Sequence, residues 1–241
     1  MRGSPIVSPD ETGWKVAGRL QWLWAFATSD TTVYRIQPGR GFEEAATVLG
    51  ADFPGVLVRD GWAPYRQFAA AAHQTCLAHL LRRCRLVAAD HPHTTFATDV
   101  QAILQRALAV RARHLAGVVS AHGLAVARGH LITRLAERLD QPSRAPDVQR
   151  FAAHLEREFT AVWSFLFDPT IDATNGRAKH AIRPAVVTRK VCGGNRSWAG
   201  ADRHQILASV ARTASQRELN PHVGLASMLH MRTPHVVAEL N

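Results

Sequence analysis

The chain has 241 residues, of which 46% are hydrophobic and 20% charged, so it has ample apolar material for a folded core. No apolar run approaches the roughly 18 residues of a membrane-spanning helix, and residues 1–7 lack the apolar core of a signal peptide. The net charge of +10 favours a polyanionic partner, and nucleic acid is a better candidate than a membrane. The chain has three cysteines, and this odd number predicts a reducing cytoplasm and no disulfide framework.

The first 60 residues predict the opening of a mixed α/β sheet. Strand patterns and turn residues indicate three antiparallel strands, a short helix and a further buried strand. These elements are predicted at residues 5–14, 20–28, 31–36, 42–49 and 54–60. The order of three antiparallel strands, a helix and a fourth strand is that of a ribonuclease-H-like fold.

Two carboxylates, Asp10 and Asp60, are predicted at strand ends of this sheet. Strands one and four are neighbours in a ribonuclease-H-like fold, so we expect the two side chains to converge at one edge. Paired carboxylates are hard oxygen ligands that suit Mg²⁺ or Mn²⁺. The alternative is that Asp10 caps a turn and Asp60 opens the Asp-Gly turn, which such residues commonly do.

Four soft ligands lie close together at His73, Cys76, His79 and Cys84. Their spacing differs from that of a zinc finger, and no second ligand pair follows at the usual distance. A short strand with Cys76 buried, followed by a helix that carries His79, is therefore the preferred interpretation.

The segment 91–166 is predicted to be entirely helical. Apolar residues recur at steps of three and four in two stripes. They are Leu131, Leu135 and Leu139 in one stripe, and Val148, Phe151, Leu155, Phe159 and Val162 in the other. Residues 141–146 form the predicted hairpin between them, and Gly117, Gly123 and Gly129 are candidate breaks. We interpret the segment as a helical insertion in the α/β domain.

The most basic part of the chain follows this insertion. Residues 172–217 contain nine Lys and Arg but only two acids, Asp172 and Asp202. A short helix is predicted with Thr174 or Asn175 as its N-cap, running to Arg183, and should stop at Pro184, which lacks a backbone donor. The loop at 193–197 could bind phosphates through backbone amides and guanidinium groups. A solvated basic helix is the alternative.

Two further helices are predicted after this stretch. The first covers residues 201–217, with Ile206, Leu207, Val210 and Ala214 on its apolar side. The last contains Leu225, Met228 and Leu229, and a tail begins at residue 233. The predicted domain plan is a core from 1 to 90, the insertion from 91 to 166, the rest of the core from 167 to 232, and the tail from 233 to 241.

Four ordered motifs resemble the catalytic domain of the insertion-sequence 66 family of bacterial DDE transposases. They are Asp10-Glu-Thr-Gly-Trp14, Gly55-Val-Leu-Val-Arg-Asp60-Gly-Trp, Cys76-Leu-Ala-His79 and Asn175-Gly-Arg-Ala-Lys-His-Ala-Ile-Arg-Pro184, which Arg189-Lys190 and Gly193-Gly-Asn-Arg196 continue. The resemblance implies a ribonuclease-H-like fold with a helical insertion before the third catalytic residue. It further implies that Asp10 and Asp60 are the first two acids and that Cys76 and His79 form the family's Cys-x-x-His signature.

One position departs from the family pattern. The family helix reads Asn-x-x-Ala-Glu, and its glutamate completes the metal site, whereas this chain has Lys179 there. An ammonium in place of a carboxylate removes a metal ligand and changes the local charge by two units. Asp172 lies seven residues earlier, about two helical turns away, and is a poor substitute.

The resemblance implies DNA phosphoryl transfer in transposition, impaired by Lys179, with a weakened Mg²⁺ or Mn²⁺ site at Asp10 and Asp60. Double-stranded DNA, as transposon ends and target, is the expected partner, bound through Arg183, Arg189, Lys190 and Arg196. A non-catalytic DNA-binding remnant and a structural partner in a transposase oligomer stay open as alternatives. The full-length family proteins carry N-terminal DNA-binding and zinc-binding regions, so the chain is expected to be a catalytic-domain fragment or truncated copy, located in the cytoplasm at the nucleoid.

Overall fold

The computed structural model describes residues 1–141, 145–223 and 225–226. The chain divides into two compact units. The first unit comprises Met1–Gly55, Pro64–Ala71 and the chain from Gly176 onward, and the second comprises Val56–Ala63 and Ala72–Asn175. The domain boundaries predicted from the sequence stay a prediction.

Five strands and eight α-helices follow one another in the described part of the chain. The strands are β1 (Ile6–Val16), β2 (Arg19–Ala27), β3 (Thr32–Gln37), β4 (Val56–Arg59) and β5 (Ala72–Thr75). The helices are α1 (Phe42–Leu49), α2 (Leu77–Asp90), α3 (Phe96–Leu115), α4 (Ala121–Leu139), α5 (Pro146–Arg157), α6 (Ser164–Phe167), α7 (Gly176–Cys192) and α8 (Trp198–Gln216). Short 3₁₀ helices occur at Ala63–Gln67 and Thr160–Val162.

The predicted mixed α/β class is confirmed, while the ribonuclease-H-like assignment stays a prediction. The predicted helical character of 91–166 is confirmed, because its described residues form helices and connecting turns and no strand. Gly117, with a φ of +74°, separates α3 from α4, whereas Gly123 and Gly129 lie inside α4. No helix among the described residues is long and apolar enough to cross a membrane. Residues 142–144 of the predicted hairpin, most of the predicted last helix and the tail lie outside the described residues.

In the first unit, β1, β2 and β3 form an antiparallel meander. Asp10 pairs with Ala25, and Ala25 pairs with Tyr34. The turn between β1 and β2 consists of Ala17 and Gly18, both with positive φ, which is the geometry of a type I′ hairpin. Helix α7 packs against β1 and β2, and buried aromatic and aliphatic side chains fill this layer. Its members are Trp14, Val16, Leu23, Ala25, Ala27, Tyr34, Ile36, Ala181, Ile182, Ala185 and Ala201.

The outer edge of this meander is covered by a ladder of polar side chains from α8. The outward N–H groups of Thr32, Tyr34 and Ile36 donate to the side chains of three α8 residues. These pairs are Thr32 with Thr213 Oγ1 at 3.1 Å, Tyr34 with Ser209 Oγ at 2.8 Å and Ile36 with Gln205 Oε1 at 2.7 Å. Four helical residues rise about 6 Å and two strand residues about 6.6–6.8 Å, so the two repeats match. The ladder satisfies donors that an open edge strand would expose to other chains.

The predicted apolar face of the 201–217 helix is therefore wrong in part. Ile206 and Leu207 are 58% and 53% exposed, whereas Gln205 is buried. The burial follows the hydrogen-bonding needs of β3, because Gln205, Ser209 and Thr213 recur at the spacing of its outward amides. A count of apolar residues along the helix does not reveal that requirement.

The predicted helix stop at Pro184 is also wrong, since α7 continues to Cys192. Proline removes one backbone donor and disturbs the carbonyl groups of the preceding turn. The Tyr34 hydroxyl donates to the carbonyl of Ala181, in that turn. Proline at 184 takes the usual donor from the His180 carbonyl, and Tyr34 adds a donor to the carbonyl next to it. Burial raises the pKa of Tyr34 to about 12, so it stays protonated at neutral pH.

The second unit combines a parallel strand pair with helices. Strands β4 and β5 pair in parallel, with Arg59 opposite Thr75. Helix α2 packs against α3 and α5, and α3 packs against α4, with Val100, Leu104, Leu135, Phe151 and Leu155 buried between them. The predicted stripes are thus core, although Leu139 and Phe159 at their ends are only half-buried.

The ladder predicts a position-specific loss of stability in α8. Gln205→Leu keeps most of the volume but leaves the buried Ile36 N–H without its acceptor, which should lower the free energy of unfolding by about 1–3 kcal/mol. Urea unfolding measures this loss, and hydrogen exchange of the Ile36 amide should accelerate. The neighbouring Ile206→Ala, at an exposed site, should change the free energy of unfolding by less than about 0.5 kcal/mol. Equal losses in the two variants would contradict the ladder.

Candidate active site and nucleic-acid surface

Asp10 lies within β1, at the fifth of its eleven residues, so its predicted position at a strand end is wrong. The strand extends to Val16 because its register with β2 continues to the hairpin turn. The Asp10 side chain is half-buried, and its Oδ1 accepts a hydrogen bond from the Glu11 backbone N–H at 3.0 Å.

Glu11 is a buried acid that the sequence prediction did not single out. Its Oε1 accepts from Arg40 Nε at 2.6 Å and its Oε2 from Tyr65 Oη at 2.6 Å. The Arg40 guanidinium also lies 4.9 Å from the ring centroid of Trp22. With both oxygens bonded to protein donors, Glu11 ties β1 to neighbouring segments of the first unit. No local sequence signal identifies this role, because Arg40 and Tyr65 are distant in sequence.

Asp60 immediately follows β4, as predicted. Its Oδ1 accepts from the Trp62 N–H at 2.9 Å, so the turn-opening role considered for this residue is present. This bond uses one carboxylate oxygen and fixes the rotamer. Asp60 belongs to the second unit and Asp10 to the first, and their convergence stays a prediction.

A buried ion pair fixes the backbone at Asp60. Arg59 and Glu158 are 2% and 0% exposed, and Arg59 Nη1 lies 2.8 Å from Glu158 Oε2. The Thr75 hydroxyl donates to the same oxygen, and Arg59 Nη1 also donates to the Asp60 carbonyl at 3.0 Å. Burial raises the pKa of Glu158, but the Thr75 hydrogen bond and the Arg59 charge outweigh it and hold the pKa below its usual value. Glu158 is thus a charged structural group.

Cys76 connects three segments of the second unit. It caps the N-terminus of α2, its N–H donates to the Arg59 carbonyl at 2.8 Å, and its sulfur accepts from the Asn175 N–H at 3.2 Å. Burial raises the pKa of Cys76, but hydrogen bonds from His79 and Asn175 outweigh it and lower the pKa overall. In Cys84, by contrast, burial raises the pKa to about 12. The predicted strand and helix around Cys76 are confirmed, and all three cysteines are free.

Lys179 is the fourth residue of α7 and is half-buried. The helix thus begins at Gly176, three residues before it, and Asn175 is held by Cys76. The role of Lys179 at the position of a third acid, and its pairing with Asp10 and Asp60, stay predictions.

The four predicted phosphate contacts differ in their surroundings. Arg183, Lys190 and Arg196 are exposed on α7 and in the loop that follows it. Arg189 is half-buried, because its guanidinium donates to Thr12 Oγ1 at 2.9 Å and to the Gly13 carbonyl. Arg189 therefore also joins α7 to β1, and phosphate binding by the set stays a prediction.

The loop after α7 is held by the backbone of β1. Asn195 donates its N–H to the Lys15 carbonyl at 2.8 Å and accepts from the Ala17 N–H at 2.9 Å and from Trp14 Nε1 at 2.7 Å. Gly194 has a φ of +124°, and a Cβ there would lie 2.2 Å from the Lys15 carbonyl oxygen. Gly194 and Asn195 thus hold the loop against β1. Arg196 is the side chain of this motif that stays a candidate for phosphate contact.

The residues present do not fit a two-metal centre. Such a centre needs anionic oxygens on two cations, and the predicted triad offers two carboxylates and an ammonium. Across residues 1–141, 145–223 and 225–226, no group of three or more His, Cys, Asp or Glu side chains could hold a metal ion. This set of residues includes His73, Cys76, His79 and Cys84.

The Arg59–Glu158 pair predicts a large loss of stability when one partner is removed. Arg59→Met leaves an uncompensated buried carboxylate and should lower the free energy of unfolding by about 3–5 kcal/mol at pH 7. Arg138→Met, which removes a partly exposed pair with Asp99 at 2.9 Å, should cost about 1 kcal/mol or less. Chemical unfolding of both variants measures the difference.

The pH dependence provides an independent check. In the unsubstituted protein the Glu158 pKa is lowered, so its contribution is present above the unfolded pKa of about 4.5 and is lost as the pH falls below it. In Arg59→Met the carboxyl keeps its burial but loses the cation, so its pKa should rise and acidification from pH 7 should relieve the penalty. A variant that loses stability on acidification as steeply as the unsubstituted protein would contradict this account.

Comparison with known proteins covers most of the chain. An uncharacterized protein of Sinorhizobium fredii, y4qI, is 25% identical over 233 residues, covering 83% of this chain and 41% of the relative. The chain thus spans about two fifths of that relative's length. No solved structure matches. The sequence profile described as Transposase IS66 family matches residues 1–203, so the chain belongs to the IS66 family of transposases.

Proposed function

We propose that the chain is a transposase domain that binds DNA and catalyses phosphoryl transfer on it during transposition. We further propose that Lys179 impairs this reaction. Family membership supports the reaction class. The single observation that carries the impairment is the lysine in the motif Asn175-Gly-Arg-Ala-Lys179, where the family pattern has a glutamate. A cytoplasmic location at the bacterial nucleoid is part of the proposal.

The positive charge of Lys179 is expected to weaken metal binding strongly. At an effective dielectric constant of about 20 and a separation of ~4–6 Å, an ammonium and a divalent cation repel by several kcal/mol. A carboxylate in the same place would attract the cation and supply a ligand. We therefore expect Asp10 and Asp60 to bind Mg²⁺ or Mn²⁺ weakly in this chain.

DNA binding does not depend on the metal. The exposed cations Arg183, Lys190 and Arg196, together with Arg189, would neutralise phosphates of double-stranded DNA, whether transposon ends or target. Phosphate contacts carry affinity without sequence information. Residues 172–217 contain nine Lys and Arg and only two acids, and this positive charge supports the assignment.

The same lysine favours a second candidate, a DNA-binding domain with no cleavage activity of its own. In that case the domain would occupy DNA or act as a non-cleaving partner in a transposase oligomer. Salt-dependent binding without metal-dependent nicking distinguishes it from the impaired enzyme, which would retain residual nicking.

The phosphate contacts predict a specific salt dependence. Each of Arg183→Ala, Lys190→Ala and Arg196→Ala should weaken binding to unrelated duplexes about equally and flatten the slope of log affinity against log salt by about 0.9. Fluorescence anisotropy with a labelled duplex at several salt concentrations measures the slope. Arg2→Ala, an exposed residue at the start of the same unit, is the control and should leave it nearly unchanged. If the variants have the same slope as the unsubstituted protein, the basic stretch does not contact DNA and is a solvated surface.

The role of Lys179 is tested by supplying the missing carboxylate. Lys179→Glu should restore binding of Mn²⁺ in calorimetric titration, because it adds a ligand and removes a repulsive charge. Metal affinity is a cleaner measurement than cleavage, which could require a region beyond this chain.

Lys190→Glu makes the same change of charge at an exposed position on the same helix and serves as the matched control. It should raise Mn²⁺ affinity far less than Lys179→Glu. Equal Mn²⁺ affinity in the unsubstituted and Lys179→Glu proteins would show that α7 does not deliver the third ligand.

A further inference from the structure

A second cluster of cations lies outside the basic stretch, on α5 in the second unit. Arg150, His154 and Arg157 follow one another at steps of four and three residues, so they share one face of the helix. Arg150 and Arg157 are exposed and His154 is half-buried. The face extends over about 10 Å, given the helical rise per residue. The acid on it, Asp147, is paired with Arg150 and lies 3.4 Å from His91.

Arg83 of α2 extends this cluster. Its guanidinium carbon lies 5.2 Å from the ring centroid of Phe151, the α5 residue next to Arg150, which fixes the cation beside that face. Burial, and then the charges of Arg150 and Arg157, hold the pKa of Arg83 below its usual value. Arginine nonetheless stays charged, so three guanidinium groups lie near one another with Asp147 as their paired acid, which leaves a net positive charge among these four groups.

His154, between Arg150 and Arg157 on this face, lies close to the residue after Asp60. A Cβ on Gly61 would lie 2.8 Å from His154 Cε1, so the imidazole ring lies directly against this glycine. The cationic face of α5 therefore passes the end of β4, where Asp60 stands, at His154, with Arg150 and Arg157 on either side. Its constituents all belong to the second unit.

We propose that Arg83, Arg150, His154 and Arg157 form a cationic track that binds the phosphates of a DNA strand leading to Asp60. The inference rests on the proposed DNA-binding function and adds a contact surface in the helical region to it. Guanidinium groups bind phosphate oxygens through paired N–H donors, and a helix face of this length can contact more than one phosphate.

The test compares two double variants of the full chain with equal loss of charge. Arg150→Gln with Arg157→Gln should reduce the magnitude of the slope of log affinity against log salt by about 1.8, for two phosphate contacts on duplex DNA. Arg106→Gln with Arg113→Gln removes two exposed cations at the same seven-residue spacing on α3 and should change the slope by much less, since salt screens distant charges. Unchanged melting temperatures would establish that both variants fold.

A crosslinking measurement locates the DNA directly. In a Cys192→Ser background, which removes the exposed thiol, Arg157→Cys carrying a photoreactive maleimide should crosslink a duplex, and Arg113→Cys should not. Equal crosslinking, or equal slopes for the two double variants, would overturn the track. If the unsubstituted protein binds no DNA, the proposed function fails. If it binds DNA through Arg183, Lys190 and Arg196 alone, the function stands and the track fails.

Discussion

The second unit depends on one buried carboxylate, Glu158. An isolated charge in the interior is strongly unfavourable, and Arg59 and Thr75 both bind Glu158 and stabilise its charged form. These three residues come from α5's C-terminal end, β4 and β5, so the requirement to satisfy one charge fixes three elements together. Asp60 and Gly61 follow Arg59 directly, and the helix that ends at Glu158 carries the cations next to them. The buried ion pair of Glu158 thus fixes the surroundings of the candidate catalytic Asp60.

In the first unit, neutral side chains satisfy the backbone hydrogen-bonding groups at the edge of the sheet. The outer edge of β3 has amides that need acceptors, and α8 supplies them at matching intervals from Gln205, Ser209 and Thr213. At the far end of β1, Asn195 uses its backbone and side chain in the same way. The result is a sheet whose edge and hairpin are held by side chains from the C-terminal third of the chain. The helix that carries Lys179, α7, directly precedes both anchors in sequence.

The distribution of charge connects this architecture with the proposed function. Carboxylates with structural duties, Glu11 and Glu158, have cationic partners and are buried, whereas many of the cations are exposed on α5, α7 and the loop after α7. Exposed cations attract a polyanion, and their number makes that attraction sensitive to salt. In the proposed alignment, Lys179 places a positive charge where the family has a negative one, which would favour phosphate over a metal ion. Affinity for DNA and loss of metal-dependent chemistry are therefore compatible in one chain.

The sequence by itself determined the family, the alternation of strands and helices, the helical region after residue 91, and the position of Asp60 at a strand end. These follow from local patterns, since hydrophobic periodicity and turn residues act over a few neighbours, and the motifs are ordered along the chain. Tertiary structure decided the rest. Helix α7 continues past Pro184, and Tyr34, 150 residues earlier in sequence, donates a hydrogen bond to the turn before this proline. Gln205 rather than Ile206 is buried because β3 needs a hydrogen-bond acceptor. Glu11, Arg59 and Glu158 have partners that their spacing in the sequence does not indicate. Buried polar groups must be satisfied by residues that the fold brings together, so their roles are properties of the folded chain and not of any stretch of it.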